Sequence, residues 1–107
     1  MSLEMPKPIA DYFAADRGDG DAVARCFTEA ATVIDEENTY SGRAEISRWR
    51  TDAAAKYSYT AEPIALEEHD GAMVVTSHLV GDFPGSPVDL TYSFVLEGDK
   101  IASLEIV

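Results

Sequence analysis

Residues 27–43 read FTEAATVIDEENTYSGR, and this stretch contains the signals that decide the fold. Ala31-Thr32-Val33-Ile34 is short and rich in β-branched residues, which is typical of a strand. The polar run Asp35-Glu36-Glu37-Asn38 follows and predicts a hairpin-like turn into a short second strand. Ser41-Gly42 then precedes a helical pattern, so the stretch predicts strand, turn, strand and helix entry in succession.

The helix that follows is predicted from Arg43 to about Tyr57. Its apolar face comes from residues at three- and four-residue steps, namely Ile46, Trp49, Ala53 and Tyr57. The polar residues expected on the opposite face are Arg48, Arg50, Asp52 and Lys56. This is the clearest amphipathic helix in the chain.

The segment before the deciding stretch predicts two short helices between Pro8 and Phe27. Three-to-four spacing is broken in the middle, and the apolar positions are Ile9, Tyr12, Phe13, Val23, Cys26 and Phe27. The break falls at Arg17-Gly18-Asp19-Gly20, whose glycines favour a tight turn, with Asp19 or Asp21 as N-cap of the second helix.

The sequence after the third helix predicts only β-strands and the turns between them. Four strands are predicted between good turn sequences: Tyr57 to His69, Ala72 to Phe83, Val88 to Leu96 and Ile101 to Val107. For the last hairpin, a two-residue Gly98-Asp99 turn would set Tyr92 opposite Glu105. A three-residue loop would instead set Leu90, Tyr92 and Phe94 against Ile106, Leu104 and Ala102, which matches apolar with apolar and is preferred.

Helices collected before a run of strands predict an α+β fold, with the helices of the N-terminal half on one face of one mostly antiparallel sheet. A length of 107 residues predicts a single domain, 1–107. Residues 1–5 are expected to be disordered or an expression scar.

Composition excludes several classes of function. The formal net charge of −12 repels phosphate backbones and anionic lipid surfaces, so neither nucleic acid nor a membrane is an expected partner. The single Cys26 cannot form an internal disulfide, and the N-terminus has neither a basic start nor a long apolar run. A cytoplasmic location is therefore expected.

The element order and the deciding stretch resemble the nuclear transport factor two-like superfamily, and within it the SnoaL-like and ketosteroid isomerase-like branch. The most specific part of the resemblance is Phe27 to Val33, then Asp35, then Tyr40-Ser41-Gly42-Arg43. Members of that family fold as a strongly curved sheet that wraps three helices into a cone with an apolar pocket at one end. The resemblance implies the same cone and pocket for this chain.

The resemblance also implies catalytic positions. Tyr12, in Ile9-Ala10-Asp11-Tyr12, matches the tyrosine that donates a hydrogen bond to the substrate oxygen in ketosteroid isomerases, and Asp35 matches their catalytic base. The third member of that set, a protonated acid, is missing, because its position falls near Tyr92 or Ser93. Tyr92 is then a second hydrogen-bond donor, and His78 is a candidate acid-base partner.

Each of these residues also has a structural interpretation. Asp35 would open an exposed acidic turn with Glu36 and Glu37, and Tyr12 would belong to the core. His78 would be an outward-facing strand residue. The predicted ligand-binding residues are Trp49, Phe27, Tyr57 and Phe94, which on the alternative interpretation fill the core between the third helix and the sheet.

Metal chemistry is not predicted. In Asp16-Arg17-Gly18-Asp19-Gly20-Asp21 the acids fall at positions that do not match a calcium-binding loop. His69 and His78 are expected too far apart along their hairpin to share an ion. Cys26 is expected to be a buried small apolar residue rather than a nucleophile.

These observations leave two hypotheses. The first is an isomerase, cyclase or dehydratase without metal or organic cofactor, acting by proton abstraction on a neutral, largely apolar carbonyl compound. The second is a non-catalytic ligand-binding or dimerisation module of the same fold. The resemblance implies a homodimer through the free sheet face, since family members commonly pair there, and the pattern that points Val74, Val80 and Val95 away from the helices agrees with it.

Overall fold

The structure is a computed structural model that describes residues 4–15 and 20–107. In these residues the chain forms three helices and six strands, as the α+β prediction requires. They are α1 (Lys7–Ala15), α2 (Gly20–Ala24), β1 (Phe27–Asp35), β2 (Asn38–Ser41), α3 (Gly42–Lys56), β3 (Tyr59–His69), β4 (Ala72–Gly81), β5 (Val88–Glu97) and β6 (Lys100–Ile106).

The six strands form one sheet in the order β2-β1-β6-β5-β4-β3. Only the β1–β6 pair in this sheet is parallel, which confirms the mostly antiparallel prediction. Irregular pairing bends three strands: β1 between Phe27 and Thr32, β3 at Ile64 and β6 at Ala102. Each extra residue increases the local twist, which curves the sheet around the helices.

The N-terminal helices differ from the sequence prediction at one end. Phe27 is the first residue of β1 rather than the end of α2, because it pairs with Ile101 while the Ile101 N–H donates to the Cys26 carbonyl at 2.8 Å. Tertiary pairing thus overrides the helical spacing. Residues 1–3 and 16–19 lie outside the described residues, and with them Asp19 and most of the predicted turn and acidic run.

Gly20 is required for close packing between α2 and α3. A Cβ at this position would lie 2.4 Å from the Ser47 carbonyl oxygen and 2.4 Å from Thr51 Oγ1, so no larger residue fits without movement. Asp21 does not precede α2 as a cap but lies in its first turn, where its Oδ1 accepts a hydrogen bond from Ser47 Oγ at 2.7 Å.

The β1–β2 hairpin is closed by a two-residue turn. Asp35 pairs with Asn38, and the two residues between them, Glu36 and Glu37, have φ angles of 52° and 68°. Positive φ at both central positions is the requirement of a type I′ turn. The hairpin predicted from the polar run is therefore present, and it ends β1 at Asp35.

The last hairpin has the two-residue Gly98-Asp99 turn that the sequence analysis did not prefer, and its register changes beyond that turn. Glu97 pairs with Lys100 across a Gly98-Asp99 turn, and the pairing shifts by one residue between Val95 and Leu96. Beyond this bulge Tyr92 faces Ile106 and Phe94 faces Leu104. Apolar residues still oppose apolar residues, but a bulge produces this match rather than the predicted three-residue loop.

The core is most densely aromatic where α1 meets β5. The ring centroid of Tyr12 lies 5.1 Å from Phe13, 6.1 Å from Phe27 and 5.5 Å from Phe94. These four side chains, Tyr12, Phe13, Phe27 and Phe94, are called the closed aromatic end below. Three of them are completely buried, and Phe13 is 9% exposed.

Several strands carry exposed large apolar side chains, namely Ile34, Ile64, Val80 and Val95. Val80 and Val95 are 48% and 42% exposed, whereas Val74 is half-buried. Their position away from the helices agrees with the sequence pattern. The homodimer expected from it stays a prediction.

Candidate functional site

An open cavity of about 420 Å³ lies between α3, the inner face of the sheet and the β4–β5 loop, residues 82–87. Its aliphatic wall comes from three neighbouring strands and consists of Leu79, Val88, Leu90 and Ile106. Side chains two residues apart on a strand share a face, so these residues continue the inner face that is packed at the closed aromatic end. The cavity is thus the part of the interior that α1 does not fill.

Asp35 lines this cavity as the last residue of β1, directly before the turn at Glu36 and Glu37. Its Oδ2 accepts a hydrogen bond from Trp49 Nε1 at 3.0 Å. Burial raises the pKa of the Asp35 carboxyl above its ordinary value of 3.8, and the neighbouring negative charge of Glu36 raises it further. The Trp49 hydrogen bond and the positive charge of Arg50 act in the opposite direction.

Arg50 is the feature of the cavity that the sequence prediction misplaced. It was expected on the polar face of α3, yet it is only 6% exposed and lines the cavity. Its guanidinium carbon lies 4.7 Å from the centroid of the Trp49 ring, and its Nη2 donates a hydrogen bond to the Tyr59 hydroxyl. The spacing 46, 49, 50, 53 is a complete helical face, and this signal could have identified Arg50.

Asp35, Trp49, Arg50 and Tyr59 therefore form a continuous chain of contacts, called the Asp35–Tyr59 array below. A carboxylate that lacks full hydration stands at one end, and a buried cation with a phenol stands at the other. A carboxylate of this kind can accept a proton from a bound molecule, and a guanidinium can stabilise negative charge that develops on it. This combination suits acid-base chemistry on a carbonyl compound.

The β4–β5 loop covers one side of the cavity. The Phe83 ring lies 6.3 Å from the Tyr57 ring and 6.2 Å from the Tyr59 ring, and all three residues line the cavity. Asp82 fixes the loop, because its N–H donates to the Ser58 carbonyl at 3.0 Å and its Oδ1 accepts from the Ser58 N–H at 2.8 Å. These bonds connect the loop directly to the start of β3.

The structure separates the predicted site residues into two groups. Asp35, Tyr57 and Tyr92 line the cavity, and Trp49 contacts it through its hydrogen bond to Asp35. Tyr12, Phe27 and Phe94 are completely buried in the closed aromatic end and are not among the residues that line the cavity. The resemblance implies that Tyr12 lies at the pocket, and the structure corrects this placement. The Tyr12 ring packs edge-on against the Tyr92 ring, 6.2 Å away, and Tyr92 is the one of the two that borders the cavity.

His78 lies on the outer face of the sheet. Its neighbours Ser77 and Leu79 are buried on the inner face, and alternation along β4 turns His78 the other way. There its Nδ1 lies 2.7 Å from Asp89 Oδ1, with both side chains substantially exposed. The predicted role of His78 as an acid-base partner in the pocket is therefore wrong in geometry.

Other potentially reactive groups lie away from the cavity. Cys26 is buried, as expected, and this burial raises the pKa of its thiol, which favours the protonated form. Within residues 4–15 and 20–107, no three side chains of histidine, cysteine, aspartate or glutamate are grouped to hold a metal ion.

None of the helices described is both long and apolar enough to span a membrane.

Comparison with solved structures gives closely similar folds. A proposed polyketide cyclase from Sinorhizobium meliloti is 39% identical, with a TM-score of 0.92 over 100% of this chain and 99% of that chain. A protein with a ketosteroid isomerase-like fold from Catenulispora acidiphila, in complex with trimethylamine, is 19% identical, with a TM-score of 0.85 over 97% of this chain and 86% of that one.

A third similar structure is that of SalBIII, an epoxide hydrolase/cyclase-like enzyme of pyran ring formation in the polyether salinomycin. It is 24% identical, with a TM-score of 0.76 over 92% of this chain and 85% of that chain. No protein-family model and no curated protein matches the sequence. At such identities the second and third structures show the fold alone, whereas the first also shows the family.

Proposed function

The chain belongs to the SnoaL and nuclear transport factor two-like superfamily, and from this premise we propose that it is a cofactor-independent enzyme that removes a proton next to a carbonyl group. The substrate is a small, largely apolar organic compound that occupies the open cavity. The observation that carries the proposal is Asp35, a partly desolvated carboxylate that Trp49 positions in the cavity wall. Isomerisation, cyclisation and dehydration can all begin with this step.

In the proposed step, an oxygen of Asp35 accepts the proton from the carbon next to the carbonyl. The electron pair of the broken C–H bond forms a carbon–carbon double bond, and the carbonyl π pair moves to oxygen to give an enolate. Burial supports this role, because a carboxylate with a raised pKa is a stronger base while it remains ionised near neutral pH. Where the substrate carries a β,γ carbon–carbon double bond, the intermediate is a dienolate, and return of the proton from Asp35 to its γ-carbon completes an isomerisation. Attack of the enolate carbon on a second carbonyl instead closes a ring, and the oxygen of that carbonyl takes the proton from Asp35.

Arg50 and Tyr59 take the role of oxyanion donor in this proposal. The resemblance assigned that role to Tyr12, but Tyr12 is packed in the closed aromatic end. Arg50 lines the cavity, carries a permanent positive charge and is held by the Trp49 ring and the Tyr59 hydroxyl. A donor fixed before the reaction requires little reorganisation as negative charge develops on the substrate oxygen.

The test is deuterium exchange at the α-carbon of 2-tetralone, a flat bicyclic ketone, followed by proton NMR in dilute buffer in D₂O. Wild type is expected to accelerate exchange over buffer, and Asp35→Asn is expected to reduce that acceleration by roughly 100-fold or more. Glu37→Gln is the matched control. It removes one carboxylate from the same turn, but Glu37 is exposed and does not line the cavity.

Equal exchange in wild type and Asp35→Asn would contradict the assignment of Asp35 as the base. Tight binding of 2-tetralone with no acceleration of exchange would favour the non-catalytic binding protein instead. That second candidate has its own support in the structure, because the cavity is open and mostly apolar whether or not Asp35 acts as a base.

A further inference from the structure

The β4–β5 loop contributes one aromatic side chain to the cavity. This residue is Phe83, which is partly buried and lines the cavity together with Tyr57 and Tyr59. The three side chains Tyr57, Tyr59 and Phe83 are called the aromatic rim below. The cavity thus has an aromatic part, formed by this rim, in addition to the aliphatic wall that the strands supply.

Hydrogen bonds within the loop fix the position of Phe83. The Ser86 N–H donates to the Phe83 carbonyl at 3.2 Å, with Pro84 and Gly85 between them, and Gly85 has a φ of 89°. Proline followed by glycine at positive φ is typical of a type II turn. The Ser86 hydroxyl also accepts a hydrogen bond from the Gly81 N–H at 2.9 Å, which ties the turn to the end of β4. The bonds that join the loop to the start of β3 hold its other side.

The rings of the aromatic rim differ in what they contact. Lys56 Nζ lies 5.3 Å from the centroid of the Tyr57 ring, and the guanidinium carbon of Arg50 lies 5.7 Å from that of Tyr59. Phe83 packs against both tyrosine rings at steep interplanar angles, 68° and 90°. Such T-shaped contacts are a preferred arrangement of aromatic pairs and hold the orientation of the Phe83 ring. Phe83 is also the member of the rim whose side chain has no polar atom.

A ligand with an aromatic ring gains more from this rim than a ligand with a saturated ring. Aromatic pairs in edge-to-face or offset-stacked contact attract each other beyond the effect of area burial, by roughly threefold to tenfold in affinity. The aliphatic wall provides no such discrimination, because it stabilises any apolar body in proportion to the area buried. Selection for an aromatic ring therefore has to come from the rim.

We infer that Phe83 is a specificity-determining residue, which contacts an aromatic ring of the ligand and makes the cavity prefer ketones with a fused aromatic ring to saturated ketones of the same skeleton. The inference rests on the proposed function, because it names a substrate class for the same cavity. It also adds a contact that proton abstraction by Asp35 does not require, since that step involves the carbonyl and its neighbouring carbon. Sequence analysis gave Phe83 no role beyond the end of a strand.

The test compares the binding of 2-tetralone and trans-2-decalone, measured by isothermal titration calorimetry at pH 7.5. The two ketones share a bicyclic skeleton and the position of the carbonyl, but only 2-tetralone has an aromatic ring. Wild type is expected to bind 2-tetralone roughly threefold or more tightly. Burial alone predicts the opposite order, because the saturated ketone is the more apolar of the two.

Two variants assign the preference to a residue. In Phe83→Leu both ketones are expected to bind with similar affinity, because leucine keeps an apolar side chain at the rim but has no aromatic ring. A preference that comes from flat shape alone would survive this change. Phe13→Leu is the matched control, since it makes the same substitution in the closed aromatic end, away from the cavity. It is expected to keep the preference.

A wild-type measurement locates the contact without any variant, so the test does not depend on the folding of Phe83→Leu. Intermolecular nuclear Overhauser effects are expected between the aromatic protons of bound 2-tetralone and the ring protons of Phe83. Effects from those protons to Leu90 and Ile106 alone would overturn the inference, because they would place the aromatic ring on the aliphatic wall.

The outcomes separate the inference from the proposed function. Equal or reversed affinities in wild type, or a preference that survives in Phe83→Leu, overturn the inference and leave the exchange chemistry of Asp35 standing. If neither ketone binds, both the inference and the proposed cavity function are overturned. A preference for 2-tetralone that depends on Phe83, together with an inactive exchange assay, supports the inference and removes the catalytic proposal.

Discussion

The two ends of the interior share the same strands but differ in what fills them. Along β5, Phe94 is completely buried against α1, Tyr92 lies at the boundary, and Leu90 faces the cavity. On β6, Leu104 packs in the core while Ile106 lines the cavity. Every second side chain of these strands thus faces the interior along the whole strand. These side chains form the core where α1 covers the strand and line the cavity where it does not.

This difference explains where polar groups are tolerated. The closed aromatic end gains stability from dense packing of large rings, which is typical of a protein interior. The open end contains a carboxylate and a guanidinium that cost stability when they are partly removed from water. Groups retained at such a cost are candidates for function, and packing at the closed end supplies the stability to keep them.

The largest expected effect comes from a matched pair of leucines. Leu104→Ala should lower the free energy of unfolding by about 3–5 kcal/mol, because Leu104 is 1% exposed and its removal leaves a void beside Phe94. Leu90→Ala should cost only about 1 kcal/mol, because Leu90 already faces an open cavity. Urea denaturation measures both. Equal losses would show that the open end is packed in solution, against this account.

The next effect concerns the hydrogen bond that positions Asp35. Trp49→Phe should cost about 1–2 kcal/mol of stability, because a bond to a carboxylate is lost. It should also raise the Asp35 pKa further, since the indole N–H stabilises the ionised form. The midpoint of the pH–rate profile for exchange then moves to higher pH. Tyr40→Phe, which changes a ring packed 5.9 Å from the indole, should leave that midpoint in place.

A smaller effect of opposite sign is expected from Asp35→Asn. Since the folded-state pKa is raised, the folded protein binds the Asp35 proton more tightly than the unfolded chain. The stability that Asp35 contributes is complete below pH 3.8 and decreases as pH rises through the folded-state pKa. At pH 7 the uncharged amide should therefore raise Tm by about 2–4 °C, and the gain should shrink in acid. A loss of stability at pH 7 would contradict the desolvation of Asp35.

The smallest effect is expected on the outer face. Asp89→Asn removes an exposed partner of His78, so the free energy of unfolding should change by about 0.5 kcal/mol or less. Exchange of 2-tetralone should be unaffected, because both side chains lie on the face opposite the cavity. A marked loss of exchange in this variant would show that the outer face takes part in the chemistry, as the sequence interpretation of His78 had suggested.

The fold could be predicted because its signals are local. The strand signal at Ala31–Ile34, the polar turn and the helical spacing from Ile46 to Tyr57 each depend on a few neighbouring residues. The start of β1 and the register of the last hairpin could not be predicted. Phe27 belongs to β1 because it pairs with Ile101, and the register of the hairpin is set by a bulge at Ala102. Such choices follow from contacts distant in sequence.

The site was predictable only in part, for a related reason. Asp35 was identified by the resemblance, whereas its own neighbours, Glu36 and Glu37, were equally compatible with an exposed acidic turn. Tyr12 was assigned to the pocket by the resemblance and Phe94 by its aromatic side chain, and neither signal tells which end of the interior is filled. Arg50 was assigned to the surface by its charge, although its spacing from Ile46 and Ala53 places it on the inner face. The charge of Arg50 predicted an exposed side chain and its helical spacing predicted an inward-facing one, and the prediction from spacing was correct.

The most direct test of the account is a map of amide chemical-shift changes when 2-tetralone is added to ¹⁵N-labelled protein. The account predicts changes at Asp35, Arg50, Tyr59 and Leu90, around the open cavity, and little change at Phe27 in the closed aromatic end. Shifts concentrated at α1 or on the outer face near His78 would contradict it.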